Sequence, residues 1–174
     1  MSALETLDVT EAGTLLRFGF ADLLRYHGPG FPGGVAHGFK VLARALPLLA
    51  GGAPPERRAI QVETAFPGPG ARDAIELVTR AVSDGRYHLN LALPGPAAPE
   101  ASRGRYLFRL RHHATLVTLV LRPGHVRQAY IDLSRRAGRS VAEEAELETL
   151  KAEMAARLSK SPAEQVYDAE VSIA

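Results

Sequence analysis

Apolar residues recur at helical spacing in several stretches of the chain, separated by polar or Gly/Pro-rich breaks. Their spacing predicts helices over residues 10–26, 35–46, 71–83, 126–137 and 141–158, with a short final helix at 161–164. In the second of these helices the apolar residues are four, three and four positions apart, and Pro47, Gly51 and Gly52 end it. Ser140 and Glu143 form a capping-box pattern at the start of the helix at 141–158.

Four other stretches are predicted to be β-strands. Apolar and polar residues alternate in 58–64, and the other three strands are predicted at 87–93, 105–111 and 114–121. The last two meet at His112–His113, where we favour a hairpin over one long bent strand, although two histidines are not a usual hairpin turn. Helices and strands do not alternate regularly, so their order favours an α+β fold over a doubly wound parallel sheet.

Length and composition fit one globular domain. The chain has 174 residues, of which 46% are apolar and 23% are charged. A chain of this size buries about 70% of its unfolded surface when it folds. We predict a single domain in which residues 1–124 form an α+β core and residues 125–174 form a helical extension packed on that core.

The charge balance and the missing residue types exclude several functional classes. The chain has 21 basic and 19 acidic residues and a formal charge of +2, which does not favour nucleic acid as a partner. It has no cysteine, which excludes disulfides, thiolate metal sites and cysteine nucleophiles. The first residues lack the basic start and apolar run of a secretory leader, and no apolar stretch of membrane-spanning length follows. We therefore expect a cytoplasmic protein with no membrane association.

Two local features are of the kind that attracts anions. Arg103, Arg105, Arg109 and Arg111 alternate along a predicted strand and would share one face, where a solvated surface is favoured over an anion site. The glycine-rich loop 28–34 leads into a helix N-terminus, whose N–H groups suit an anionic ligand. Its two prolines lack an N–H, so a tight turn between helices is the favoured interpretation.

Four segments resemble motifs of one known family in the same order along the chain. They are 26–33 (Tyr-His-Gly-Pro-Gly-Phe-Pro-Gly), 63–79 (Glu-Thr and later Asp-Ala-Ile-Glu-Leu-Val-Thr), 85–89 (Gly-Arg-Tyr-His-Leu) and 104–108 (Gly-Arg-Tyr-Leu-Phe). They resemble the His-Gly-His-x-Cys-Pro-Gly signature and the following motifs of the formylmethanofuran dehydrogenase FmdE family. The resemblance covers residues 20–123.

The resemblance implies an α+β domain with a mixed four-stranded sheet, related to the catalytic domain of glyceraldehyde phosphate dehydrogenases, and a homodimer. It also implies a metal site of cysteine and histidine, but this chain departs from that site. Phe31 and Ala81 stand where the family has cysteines, and Pro29 stands where it has a second histidine. No zinc-ribbon cysteines occur. At matching positions only His27, Glu63 and Asp73 are kept.

We predict that the family's pocket persists without its thiolates. The expected lining residues are His27, Gly30, Phe31, His37, Glu63, Phe66, Asp73 and Ala81. A harder metal site, with zinc or a similar ion held by His27, His37 and a carboxylate, stays open as an alternative. Histidines that only form hydrogen bonds at helix ends are favoured over it.

Three functions are compatible with such a domain. The favoured role is binding a small molecule or assisting a partner enzyme. A second hypothesis is an enzyme in which His27 and a carboxylate act as general acid and base near Phe31 and Phe66. Asp73 and Glu76, which share a helix face, would take part only if buried. A third hypothesis is a structural dimerisation module that uses the apolar seam of the helix at 141–158. The seam residues are Leu147, Leu150, Met154 and Leu158.

Overall fold

The computed structural model describes residues 5–173. The expected cytoplasmic location rests partly on residues 1–4, which lie outside this range. The described elements are β1 (Leu7–Glu11), β2 (Thr14–Phe18), α1 (Phe20–His27), α2 (Pro32–Leu49), a 3-10 helix (Arg57–Ala59), β3 (Ile60–Thr64), α3 (Pro69–Thr79), β4 (Tyr87–Leu89), β5 (Leu107–His112), β6 (Thr115–Leu121), α4 (Gln128–Arg135), α5 (Val141–Lys160), α6 (Ala163–Val166) and β7 (Tyr167–Ile173). The fold is α+β, as predicted.

The main sheet has five strands in the order β4-β3-β5-β6-β7, and only β3 and β4 are parallel. Helix α2 packs against it. Register places buried residues side by side on the face that α2 covers: Val62 pairs with Leu110, Leu110 with Val117, and Leu121 with Tyr167. The sheet is mixed, as expected, but it has one strand more than the four that the resemblance implies.

The additional strand is β7. The C-terminal segment was predicted to be purely helical, and that prediction is wrong. The short final helix exists as α6, and β7 follows it directly. Apolar residues alternate with polar residues along this strand; they are Tyr167, Ala169, Val171 and Ile173. Because β6 offers a free edge, this period-two segment pairs with it and completes the core sheet.

The helix predicted over residues 10–26 is wrong in its first half. Strands β1 and β2 form an antiparallel hairpin there, and α1 begins only at Phe20. The turn between the strands is Ala12–Gly13, with φ of 49° and 79°. Two consecutive positive φ angles suit the tight turn of a hairpin and not a helix. Leu7 and Val9 are buried two residues apart, the period of a strand.

Other boundaries shift for local reasons. The hairpin at His112–His113 is confirmed, with His113 in the turn at a φ of 51°. Helix α3 ends at Thr79 rather than at 83, because Arg80 adopts a left-handed conformation. The buried carboxylate of Glu76 accepts hydrogen bonds from the N–H groups of Val82 and Ser83 at 2.8 and 3.1 Å. Glu76 therefore holds the chain after α3 and does not pair with Asp73.

Helix α5 packs along α2 with the predicted apolar seam turned inward. Leu147, Met154 and Leu158 are buried, and Leu150 is half-buried. Three of the four seam side chains are therefore covered by the chain itself, and Leu150 is partly exposed. Within residues 5–173, no helix combines the length and the apolar character that crossing a bilayer requires.

Candidate functional site

The first turns of α2 and α3 lie side by side, because each helix has a glycine where the two touch. A Cβ added to Gly34 would lie 3.3 Å from Cα of Gly70. A Cβ added to Gly70 would lie 2.6 Å from the backbone nitrogen of Val35 and 2.7 Å from the carbonyl oxygen of Phe31. Any side chain at Gly70 would push the helices apart. The N-termini of both helices thus meet at one place.

A cavity of about 240 Å³ lies at this junction. Most of the side chains that line it are aromatic or apolar, and they come from α2, α3, α4, α5 and the segments before α3 and β5. The lining residues are Phe31, Gly34, His37, Phe66, Pro67, Gly68, Pro69, Ser102, Arg103, Tyr106, Tyr130 and Met154. We call it the aromatic cavity. It is the strongest candidate site, because it joins a buried histidine to a concave apolar surface.

The inner wall of the aromatic cavity is a stack of rings. Phe66 and Tyr106 are stacked, with ring centres 4.6 Å apart and planes 27° apart. The ring of His37 lies 4.6 Å from that of Tyr106. Burial raises the pKa of Tyr106, with a smaller contribution from Tyr130. Tyr106 therefore keeps its proton, and the wall carries no charge.

His37 is the only fully buried histidine among the described residues, and it lies in the middle of α2. Its Nδ1 is 2.8 Å from the hydroxyl oxygen of Tyr167 on β7. Burial, with smaller contributions from the charges of His125 and Arg157, lowers the pKa of His37 to about 3. Burial also raises the pKa of Tyr167. Both groups are therefore neutral at physiological pH.

The position of the His37 proton follows from counting hydrogen-bond partners. If the Tyr167 hydroxyl donates to Nδ1, Nε2 carries the hydrogen and is the one group left unpaired. If Nδ1–H donated to Tyr167 instead, both the hydroxyl hydrogen and Nε2 would be unpaired. Each buried unpaired group costs about 1–3 kcal/mol. The first arrangement is favoured, so Nε2–H is a buried donor without a partner in the described part of the chain.

His27 and Asp73 form a second polar pair beside the cavity. His27 ends α1, Asp73 lies on α3, and the His27 Nδ1 to Asp73 Oδ2 distance is 2.7 Å. When Nδ1–H donates to the carboxylate, the acceptor lone pair of an imidazole is on Nε2. Nε2 is buried and has no hydrogen-bond partner among residues 5–173. The arrangement is that of a base oriented by a carboxylate.

Phe31 contacts both the pair and the aromatic cavity. Its ring centre is 6.0 Å from that of His27, and its side chain lines the cavity. The residue is 43% exposed, and the ammonium group of Lys151 lies 4.7 Å from the centre of its ring. Phe31 therefore lies beside both His27 and the cavity.

The remaining predicted site residues lie elsewhere. Gly30 is exposed in the turn between α1 and α2. Glu63 lies on the opposite face of the sheet, where it accepts a hydrogen bond from Asn90 at 3.1 Å. Ala81 is buried after α3 and does not line the cavity. Of the eight predicted residues, Phe31, His37 and Phe66 line the aromatic cavity, and the pair His27–Asp73 adjoins it through Phe31.

The described residues contain no group of three or more histidine, aspartate or glutamate side chains placed to hold a metal ion. His27 and His37 are bonded to different partners, Asp73 and Tyr167. The alternative of a histidine–carboxylate metal site therefore lacks a third ligand within residues 5–173.

The four arginines do not share one strand face, because β5 begins only at Leu107. Arg105 donates to the carbonyl oxygen of Leu93 and Arg109 to that of Pro94, so both tether the preceding loop. Arg111 faces a hollow on the outer side of the sheet. Arg103 alone lines the aromatic cavity. This position was not predicted, because its spacing suggested a strand.

A slightly larger hollow of about 290 Å³ lies between the end of β6 and α4. It contains no histidine, and its charged residues, Glu100 and Arg122, are both exposed. None of its lining side chains is a buried polar group without a partner in the described structure. We therefore place the candidate site at the smaller aromatic cavity.

Sequence reasoning missed several members of the site. They are Ser102, Arg103, Tyr106, Tyr130, Met154 and Tyr167. A tyrosine within a run of alternating apolar residues was a usable signal for Tyr167, but only the register of β6 and β7 brings it to His37.

Two comparisons with known proteins identify no relative of this chain. No protein-family model and no curated protein matches this chain. The resemblance to FmdE therefore stays a prediction, and the function has to be argued from the site itself.

Proposed function

We propose that this chain is an FmdE-like domain that binds a small organic molecule in the aromatic cavity. The observation that carries the proposal is a buried donor beside the cavity: His37 is a lining residue, and its Nε2–H is fully buried without a partner in the described structure. Buried polar groups in native proteins nearly always have a partner. A ligand with an acceptor atom supplies one.

The shape and position of the cavity support a small ligand. Its volume of about 240 Å³ suits a single ring with one substituent. Phe66 and Tyr106 offer flat apolar surface, and Met154 adds an adaptable thioether. On the outside, Ser102 and Arg103 lie in an exposed turn that gives access from solvent.

Blocking the cavity tests the proposal. We expect saturable binding of at least one single-ring probe, among benzoate, benzamide and benzyl alcohol, in saturation-transfer NMR. Ser102→Trp places a large ring at the cavity and is expected to remove this signal. The matched control Ser159→Trp, on the exposed end of α5, is expected to keep it. Binding that survives Ser102→Trp, or no binding of any probe to the wild-type protein, would contradict the proposal.

The pair His27–Asp73 favours a second candidate function, acid–base catalysis. Asp73 holds the ring through Nδ1, which leaves Nε2 to accept a proton from an attacking water. Nε2 of His27 is buried, and the nearby ring of Phe31, with its centre 6.0 Å from that of His27, borders it on the side of the cavity. Such chemistry therefore requires Phe31 to move.

This requirement makes the second candidate testable with p-nitrophenyl acetate as a probe ester. Phe31→Ala opens Nε2 and is expected to raise the rate of hydrolysis at least about tenfold over the double variant Phe31→Ala/His27→Gln, within the range of general-base effects. Adding Asp73→Asn to Phe31→Ala is expected to lower the rate again. Equal rates with and without His27 would exclude the pair as a base.

A further inference from the structure

The charges around the aromatic cavity are of one sign. Arg103 is the only charged side chain that lines it, and none of its lining residues is acidic. Arg103 is exposed and forms no ion pair or hydrogen bond with another residue in the range 5–173. Of the acidic groups nearby, Glu148 acts on Tyr130 and is paired with Lys151 at 2.8 Å, and Asp73 is paired with His27 at 2.7 Å. The unpaired guanidinium of Arg103 thus lies at the entrance of the aromatic cavity.

The backbone adds positive potential from two directions. Gly34 at the start of α2 and Gly68 and Pro69 at the start of α3 all line the cavity. The first hydrogen bond of α2 runs from the N–H of Val35 to Phe31, so the N–H groups of Gly33 and Gly34 have no partner within the helix. The positive ends of two helix dipoles meet here.

His37 gives independent evidence for a ligand at the same place. It lies one turn after Gly34 on the same face of α2, so its ring and the N-terminal N–H groups are neighbours. Its Nε2–H is a neutral donor, fully buried and without a partner in the described structure. The His37 donor, the N–H of Gly34 and the guanidinium of Arg103 suit the acceptor oxygens of one carboxylate, and α3, which begins at Pro69, adds the positive end of its dipole.

The rest of the cavity accepts a flat apolar body. The rings of Phe31, Phe66 and Tyr106 line it, and the volume of about 240 Å³ holds a six-membered ring with a carboxylate. We propose that the aromatic cavity binds a small aromatic carboxylate, an inference that rests on the proposed function above. The carboxylate contacts His37, the starts of α2 and α3, and Arg103, and the ring lies against Phe66 and Tyr106.

Three probes of related shape test the inference by titration calorimetry. Benzoate has both the ring and the charge, benzamide has the ring without the charge, and acetate has the charge without the ring. We expect benzoate to bind in the millimolar range or tighter, and each of the other two to bind at least about tenfold more weakly.

A pair of arginine variants completes the test. Arg103→Gln is expected to weaken benzoate binding about tenfold, as the loss of a charge-assisted contact does. Arg111→Gln removes the same charge on the outer face of the sheet and is expected to change the affinity less than about twofold. Its side chain lines the hollow there and not the aromatic cavity.

The outcomes separate this inference from the proposed function. If benzamide binds as tightly as benzoate, or if Arg103→Gln and Arg111→Gln behave alike, the carboxylate assignment is wrong, whereas the cavity remains a ligand site. If acetate binds as tightly as benzoate, the assignment of an aromatic ring to the ligand is wrong. If none of the ring compounds binds, the proposed function and this inference fail together.

Discussion

Gly70→Ala is expected to lower the free energy of unfolding by about 3 kcal/mol, at the upper end of the usual cost of overpacking. The added Cβ would lie 2.6 Å from the nitrogen of Val35 and 2.7 Å from the carbonyl oxygen of Phe31. Both are backbone atoms at the start of α2, so they cannot rotate away. Alanine gains about 1 kcal/mol of helix propensity over glycine, which offsets only part of the clash.

Urea unfolding followed by circular dichroism measures this effect. Gly30→Ala is the matched control, because no atom lies within 4 Å of its added Cβ, and its stability should change by less than about 0.5 kcal/mol. Gly70→Ala should also weaken benzoate binding, because it separates the two helix starts that line the cavity. A Gly70→Ala protein as stable as the control would mean that α2 and α3 do not make close contact at Gly70.

Acidification from pH 7 to pH 5 is expected to cost about 2 kcal/mol of stability through His37 alone. Its pKa is about 3 in the folded protein, because burial disfavours the imidazolium, against 6.5 in a model peptide. Between these two values the unfolded chain binds a proton that the folded chain does not. Stability is therefore complete above about pH 6.5 and falls by about 1.4 kcal/mol per pH unit below it.

Comparing variants isolates this contribution from the other histidines. His37→Gln can still accept the Tyr167 hydrogen bond but does not titrate, so its loss of stability between the two pH values should be about 2 kcal/mol smaller than in the wild type. His88→Gln changes an exposed histidine on β4 and should keep the wild-type difference. An equal acid sensitivity in the wild type and in His37→Gln would mean that water or a ligand reaches the ring.

The sequence was sufficient for the elements whose period is unambiguous. The helices α2, α3 and α5 and the strands β3, β5 and β6 lie in the predicted regions, and the capping box at Ser140 and Glu143 has formed. The prediction that Pro47 ends the second helix is wrong, because α2 continues through it to Leu49. The failure at residues 10–18 has a physical cause. Leu15, Leu16 and Phe18 fall at helical spacing by coincidence, and Leu15 is half exposed in the hairpin. The left-handed backbone of Ala12 and Gly13 makes a tight turn there, which favours a hairpin over a helix.

The candidate site was predictable only in part. Phe31, His37 and Phe66 were identified, whereas His27 and Asp73 were predicted as lining residues and instead form a pair beside the cavity. Arg103 and Tyr106 escaped prediction because they reach the cavity from a loop, where no periodicity indicates direction. The homodimer implied by the resemblance stays a prediction. Within the described residues, β7 is bonded on one side only and leaves Val171 and Ile173 exposed.

The link between His37 and Tyr167 joins residues 130 positions apart in the chain. On the ribosome, α2 emerges long before residue 167, so a nascent chain holds His37 without the hydroxyl that orients its ring. The cavity wall is finished only when β7 joins β6, and contacts between such distant residues form late. A ligand of this cavity would therefore not assist the early steps of folding. It would act on the completed chain, by slowing its unfolding.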